Sequence, residues 1–313
     1  MTTKVAVCSR SFSQHPVLRK ELLDVFSQVK FNDLGISLEG DELIEFLKGH
    51  DRAIVALEKI DANLLSHLPE LKVIGKYGVG LDKIDFQAMD SAGVKLGWTA
   101  GVNAEAVAEL TLGMALNIVR NIQTSHQVAK NHEWKQIKGQ QLSSMTYGIL
   151  GCGHVGKALV KLLKPFGCRI ISHDIADQSS FYKEYGVESV DFDTLISTSN
   201  VLSIHIPKNE TTKNIMNEAV LKRMMKGSFL INTARGGLID EKTLFELINS
   251  NHLSAAGLDV FDIEPPVDFS LIDHPRVFTT THIGGSSEEA ILAMGRAAIF
   301  GLSHFQTASL YEQ

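Results

Sequence analysis

The feature that most constrains this chain is Thr146-Tyr-Gly-Ile-Leu-Gly151-Cys-Gly153-His-Val-Gly156-Lys-Ala, an apolar run that opens into GxGxxG and continues as a helical pattern to about Leu163. Glycines at that spacing suit the strand–turn–helix of a parallel α/β unit. Gly151 permits the tight turn, Gly153 lets the backbone approach a pyrophosphate, and Gly156 lets the helix lie close on the sheet. The helix start, with His154 and Val155, offers free N–H groups and the positive end of a dipole to phosphate oxygens. The next apolar run, Arg169-Ile-Ile-Ser-His-Asp174, ends in an acid 23 residues after Gly151, near the spacing of about 20 expected of a carboxylate that accepts from ribose hydroxyls. Asp174 would repel a 2′-phosphate there and so favours NAD over NADP. The plainer alternative is an acid that caps a strand end. Gly75-Lys-Tyr-Gly78-Val-Gly80 also closes an apolar run, but it opens no comparable nucleotide helix.

Around this unit, short apolar runs alternate with helical segments, the pattern of βαβ units and parallel sheets. Strands are expected at residues 4–8, 52–56, 72–76 and 94–97, with helices at 16–26, 41–48, 61–67 and 86–92 between them. One long helix is expected from about Asn103 to His126, with Val107, Leu110, Met114 and Ile118 on its buried face; it suits a connector or a dimerisation element. Further strands are expected at 146–150, 169–173, 201–206, 228–232, 255–259 and 277–280, and a last helix at 287–304 that returns to pack on the first domain. A chain of 313 residues carries two domains by this reading. The expected fold is α/β with two doubly wound parallel-sheet domains: residues 1–99 with 286–313, and residues 100–285.

Composition narrows the class. With 44% hydrophobic residues the chain can build a core in each domain, and a formal net charge of −6 argues against nucleic acid or an anionic membrane as partner. Cys8, Cys152 and Cys168 show no CxxC spacing and read as buried small hydrophobes in a reducing compartment; no metal site is expected. The apolar stretch within Met1–Cys8 is too short for a signal peptide, and no run approaches the roughly 20 apolar residues of a membrane span. The expected location is cytoplasmic.

In open α/β sheets ligands bind beyond the carboxyl ends of the strands, and polar residues stand at those ends here. Phe229-Leu-Ile-Asn-Thr-Ala-Arg235 delivers an arginine, Leu258-Asp259 through Glu264 delivers acids, and Val277 through His282 delivers a histidine. Hydride transfer at the C2 carbon of a 2-hydroxy or 2-oxo acid needs such a set. Arg235 can grip the carboxylate and the adjacent oxygen as a planar fork. His282 can give or take the proton of that oxygen near neutral pH, and Glu264 can orient the imidazole and favour its protonated form. Taken singly, each has a bland reading: a structural histidine, a surface acid, an arginine paired with Asp259 or Asp262.

These blocks together resemble the D-isomer-specific 2-hydroxyacid dehydrogenases, diffusely over the first seventy residues and strongly from about Lys76 to Gly285. The ordered matches are Tyr77-Gly-Val-Gly80-Leu-Asp82, Gly101-Val-Asn103 through Glu109, the Gly151 loop, His205-Ile-Pro207 with Thr212, Asn232-Thr-Ala-Arg235-Gly-Gly, Leu258-Asp259 through Glu264-Pro265, and His282-Ile-Gly-Gly285. The resemblance implies two Rossmann-like domains, one flavodoxin-like and one NAD-binding, with a cleft between them, and a homodimer formed through the long helix. It implies Arg235, Glu264 and His282 as catalytic triad, and backbone N–H groups at Val79 and Gly80 holding the substrate carboxylate. Asp259 would meet the nicotinamide carboxamide, Thr233 and Ala234 would line the nicotinamide site with His282 and Gly284, and His205, Pro207 and Thr212 would form the loop over the adenine side. His154 stands where many members carry arginine, a departure that could weaken dinucleotide affinity.

Within that family, Glu264 argues against formate dehydrogenases, which carry glutamine there. An NAD(H)-sensing regulator without catalysis is a reading of another class, and the complete triad argues against it. The block Lys76 through Asp85 looks most like D-3-phosphoglycerate dehydrogenases, so D-3-phosphoglycerate and 3-phosphohydroxypyruvate are the expected substrate pair, with Lys76, Lys83 and Arg52 as candidate phosphate partners. Glyoxylate or hydroxypyruvate reduction is the alternative. The chain ends soon after its last helix, so a C-terminal serine-sensing domain is not expected.

Overall fold

The computed structural model describes residues 3–312; Met1, Thr2 and Gln313, which the expected domain spans include, lie outside the described residues. The strands run in chain order as β1 (Lys4–Val7), β2 (Gln28–Phe31), β3 (Arg52–Val55), β4 (Val73–Lys76), β5 (Lys95–Gly97), β6 (Thr146–Leu150), β7 (Arg169–His173), β8 (Glu188–Ser189), β9 (Val201–Ile204), β10 (Phe229–Asn232), β11 (Ala255–Leu258), β12 (Val277–Thr279) and β13 (Gln306–Thr307). By contact density the described residues separate into two compact units, one up to Asn103 together with Ser286 onward, the other Ala104–Gly285.

In the first unit the sheet order is β13-β5-β4-β3-β1-β2. Apart from the short antiparallel β13 this is the 2-1-3-4-5 winding of flavodoxin-like folds. Side chains alternate across it: Val5 and Val7 of β1 enter one apolar cluster, while Ala6 and the adjoining Cys8 enter the other, as the two-residue period of a strand requires. The helix Glu288–Gly301 lies directly on β4 and β5. A Cβ on Gly75 would stand 2.5 Å from the Ala298 carbonyl oxygen, and one on Gly97 would stand 2.1 Å from that of Gly301. These two strands carry glycine because a helix backbone occupies the space of their side chains.

The second unit has the order β12-β11-β10-β9-β6-β7-β8, all parallel. Counted from β6 this is 3-2-1-4-5-6-7, the winding of dinucleotide-binding sheets, with its reversal between β6 and β9. Two apolar clusters cover its faces, one built on Leu202, Leu230 and Leu258, the other on Tyr147, Ile149 and Ile231.

The expected single helix from Asn103 to His126 is broken. It runs as Ala104–Arg120 and then, after Asn121 at φ 55°, as Ile122–Lys130. Asparagine tolerates the left-handed region better than most residues, and the Asn117 side chain accepts from the Gln123 N–H just past the break. Leu110 is only partly buried, and the polar Thr111 is fully buried beside Val107 and Met114. Among the described residues no helix is long and apolar enough to cross a membrane.

Candidate active site

The glycine turn joins β6 to the helix His154–Leu163. Gly151 has φ +89°, and a Cβ there would meet Ile206 at 2.6 Å and the His205 carbonyl at 2.9 Å; a Cβ on Gly156 would meet the Gly151 carbonyl at 2.4 Å. At Gly153 a Cβ would meet nothing within 4 Å, so open space lies over the turn where a pyrophosphate needs it. The helix has no side-chain cap, and its first N–H groups keep their capacity for an anion. His154 is exposed on the first helical residue, while Val155 packs into the apolar cluster below.

Asp174 follows β7 and is held rigidly. Its Oδ2 accepts from the Cys152 N–H at 2.5 Å and its Oδ1 from the Ala176 N–H at 2.8 Å. Each oxygen keeps a further lone pair, so the carboxylate is fixed against the glycine turn and still able to accept from hydroxyls. Burial pushes the neighbouring Cys152 thiol up to about 11 and keeps it neutral. Together the open space at Gly153, the uncapped helix and the anchored acid fit a bound NAD.

His205 stands in the loop after β9, with its carbonyl beside the Gly151 turn. Its ring turns inward, with Nε2 at 2.8 Å from Ser203 Oγ and Nδ1 buried. Burial pushes it down to about 3, so the imidazole is neutral. Pro207 and Thr212 are joined across the same loop, where Thr212 Oγ1 donates to the Pro207 carbonyl at 2.7 Å.

The loops beyond β10, β11 and β12 bring Glu264 and His282 into contact, with the Arg235 charge near enough to act on both. His282 Nδ1 stands 2.6 Å from Glu264 Oε2, and the other oxygen of Glu264 accepts from the Phe261 N–H at 3.0 Å. An ionised carboxylate only accepts, so Nδ1 carries the proton and Nε2 remains for chemistry. The Glu264 hydrogen bond holds His282 above the usual imidazole range; burial opposes this, the charges of Glu264 and Asp259 add to it, and Arg235 opposes it. Burial pushes Glu264 up, yet the His282 hydrogen bond, the Phe261 N–H and the charges of His282 and Arg235 outweigh it and leave the carboxyl below its usual range. With 44% of the His282 side chain exposed, the pair can exchange a proton with a ligand.

Asp259 is 1% exposed and builds the turn that carries His282. Its Oδ1 accepts from Thr280 Oγ1 at 2.6 Å and the Ile283 N–H at 2.8 Å, its Oδ2 accepts from the Gly284 N–H at 2.8 Å, and its carbonyl accepts from the His282 N–H at 2.9 Å. These bonds hold His282 at φ 56°, a conformation that costs a bulky residue about 1–3 kcal/mol.

Asn232, which the sequence reading passed over, shapes the Arg235 turn. Its Oδ1 accepts from the Ala234 N–H at 3.0 Å and its Nδ2 donates to the Arg235 carbonyl at 2.8 Å. An asparagine at a strand end, two and three residues before those groups, is the available sequence signal. Glu241 was passed over as well; it accepts from the Asp262 N–H at 2.7 Å and steadies the turn before Glu264. In the first unit Val79 and Gly80 lie in the loop after β4. Trp98 Nε1 donates to the Val79 carbonyl at 3.2 Å, and Lys76 Nζ donates to the carbonyls of Ala56 at 2.7 Å and Tyr77 at 3.2 Å.

A doubly wound parallel sheet with this glycine turn and an acid at the end of the following strand is the architecture of a dinucleotide-dependent dehydrogenase. Residues 112–284 match the family described as D-isomer specific 2-hydroxyacid dehydrogenase, NAD binding domain. The chain is 37% identical to the hydroxypyruvate reductase of Thermotoga maritima over 285 residues, 89% of this chain and 90% of that protein. It is 35% identical to the D-3-phosphoglycerate dehydrogenase of Methanocaldococcus jannaschii over 282 residues, 89% of this chain but only 54% of that longer protein. A glyoxylate reductase structure from Paecilomyes thermophila superposes with a TM-score of 0.86 at 26% identity, covering 96% of this chain and 94% of that one. The chain belongs to the D-isomer-specific 2-hydroxyacid dehydrogenases, and its cofactor is NAD.

Proposed function

We propose that this dehydrogenase interconverts a small D-2-hydroxy acid and its 2-oxo acid, with hydroxypyruvate and glyoxylate ahead of 3-phosphohydroxypyruvate. The carrying observation is the convergence of Arg235 with the Glu264–His282 pair. Arg235 receives the carboxylate and the C2 oxygen as a fork. His282 Nε2 gives its proton to that oxygen in reduction and takes it back in oxidation, while Glu264 keeps Nδ1 protonated and the ring oriented. By the family resemblance, the backbone N–H groups of Val79 and Gly80 are further candidate donors for a carboxylate. Asp174 accepts from the adenosine ribose, and the Gly151 turn with the start of the helix His154–Leu163 holds the pyrophosphate. NAD(H) supplies or removes the hydride at C2.

The substrate order departs from the one expected from the β4 block, and its support is physical. Of the cations named for a substrate phosphate, Lys76 is 5% exposed and bonded to two carbonyls, and Arg52 donates to the Leu302 carbonyl beside Asp51. Lys83 is exposed. A phosphate would have to compete with those bonds.

The test is NADH oxidation against hydroxypyruvate, glyoxylate, pyruvate and 3-phosphohydroxypyruvate, with NADPH in parallel. Hydroxypyruvate or glyoxylate should have the highest kcat/KM. A more than tenfold preference for the phosphorylated acid would reverse the substrate order, and silence with NADH binding intact would favour a sensing role. A homodimer is also proposed, because the helix Ile122–Lys130 buries no residue within the chain and Trp134 is 96% exposed. Sedimentation as a 34.3 kDa species would refute it.

A further inference from the structure

The helix Ala104–Arg120 carries a polar residue on its buried face. Thr111 is fully buried, and a buried hydroxyl costs free energy unless it is hydrogen-bonded. Its Oγ1 lies 2.7 Å from the Val107 carbonyl oxygen and 2.7 Å from Thr233 Oγ1. A carbonyl has no proton to offer, so the approach to Val107 uses the single hydroxyl proton of Thr111. Thr111 therefore faces Thr233 with a lone pair, and Thr233 donates. The Thr233 side chain is thereby tied to the helix rather than to its own turn.

Thr233 opens the short segment that ends in Arg235. Beyond Thr233, Asn232 holds the Ala234 N–H and the Arg235 carbonyl, and Arg235 Nη1 donates to the Ala234 carbonyl at 2.7 Å. On the far side, a Cβ on Gly236 would stand 1.8 Å from the Phe261 carbonyl oxygen, so that turn cannot shift toward β11. Asn232 and Gly236 fix the turn internally, and the Thr111–Thr233 bond ties it to the helix. The same helix supports the neighbouring turn, where a Cβ on Gly284 would touch Val107 at 3.4 Å.

We infer that Thr111 is a positioning residue for Arg235, acting through the Thr233 hydroxyl. The helix then sets where the substrate carboxylate is received, a role beyond connection or dimerisation. The inference rests on the proposed reading of Arg235 as carboxylate clamp. A planar fork is sensitive to such placement, because its two charge-assisted bonds weaken together when the guanidinium turns.

Thr111→Val keeps the shape of the side chain and leaves the Thr233 proton without an acceptor; Thr111→Ser keeps the acceptor. Thr111→Val should raise KM for the preferred 2-oxo acid about tenfold, the scale of one weakened charge-assisted hydrogen bond. The NADH Kd, read by fluorescence, should stay within about twofold. Thr111→Ser should restore KM, and in a Thr233→Val background Thr111→Val should add nothing, since both act on one bond. Effects of the two valine variants that multiply, or a lower Tm with unchanged KM, would overturn the inference. A crystal structure of Thr111→Val separates this claim from the function. An unmoved Arg235 guanidinium sinks the Thr111 inference whatever the activity, whereas a displaced one in a protein whose wild type turns over no 2-oxo acid sinks only the functional reading.

Discussion

The two sheets end their strands in loops of different kinds. Beyond β7, β10, β11 and β12 of the second unit stand Asp174, Arg235, Asp259 with Glu264, and His282, each in a turn whose backbone is bound by a side chain, their own or a neighbour's. Beyond β3 and β4 of the first unit run Ala56-Leu57 and Tyr77-Gly78-Val79-Gly80, and Lys76 at the end of β4 has its ammonium turned onto carbonyls. One edge presents side chains whose charge neighbours can tune, the other presents mainly backbone. Proton chemistry belongs to the first kind, because a hydrogen bond and two charges are enough to raise His282. Backbone recognition is set by torsion angles instead, and a change there acts through shape.

If that division holds, the largest effect comes from removing the proton carrier. His282→Ala should lose at least about two orders of magnitude in kcat, the usual scale for a lost general acid–base, with the NADH Kd unchanged. Near-wild-type turnover would remove His282 from the chemistry.

Asp174→Ala and Gly78→Ala sharpen the contrast by moving different constants. Asp174→Ala should weaken NADH about tenfold, as loss of charge-assisted hydrogen bonds does, and should narrow the gap to NADPH. Gly78 has φ +104°, and a Cβ there would meet only ordinary contacts, the nearest at 3.7 Å, so its substitution strains torsion rather than packing. Gly78→Ala should raise KM for the 2-oxo acid several-fold, on the scale of about 1 kcal/mol of backbone strain, and leave NADH binding alone. A change in NADH Kd with KM intact would break the division.

The smallest effect is a displaced pH profile. His282 is raised, chiefly by Glu264, so the protonated form needed for reduction persists above the ordinary imidazole range and is lost as pH rises through the raised value. Glu264→Gln removes that support. Reduction should then decline from a lower pH, and oxidation, which needs neutral His282, should begin at a lower pH. A profile that stays in place would separate Glu264 from the titration.

The Gly151 turn with Asp174, the β10 block ending in Arg235 and the pairing of Glu264 with His282 were all readable as strings of residues. Each depends on local rules: a torsion only glycine adopts easily, or an acid at a strand end. The β2 strand was not readable, because Gln28-Val-Lys-Phe31 is a short edge strand with one buried residue and so lacks an apolar signature. The helix break at Asn121 was also missed, since asparagine is unremarkable in a polar helical stretch until its φ is known. Long-range contacts decided what remained: that Thr111 meets Thr233, that Lys76 folds onto Ala56 and Tyr77, and that the Asp259 carboxylate gathers Thr280, Ile283 and Gly284. Which donor meets which acceptor across 122 residues depends on how strands and helices pack, and composition and spacing do not record it.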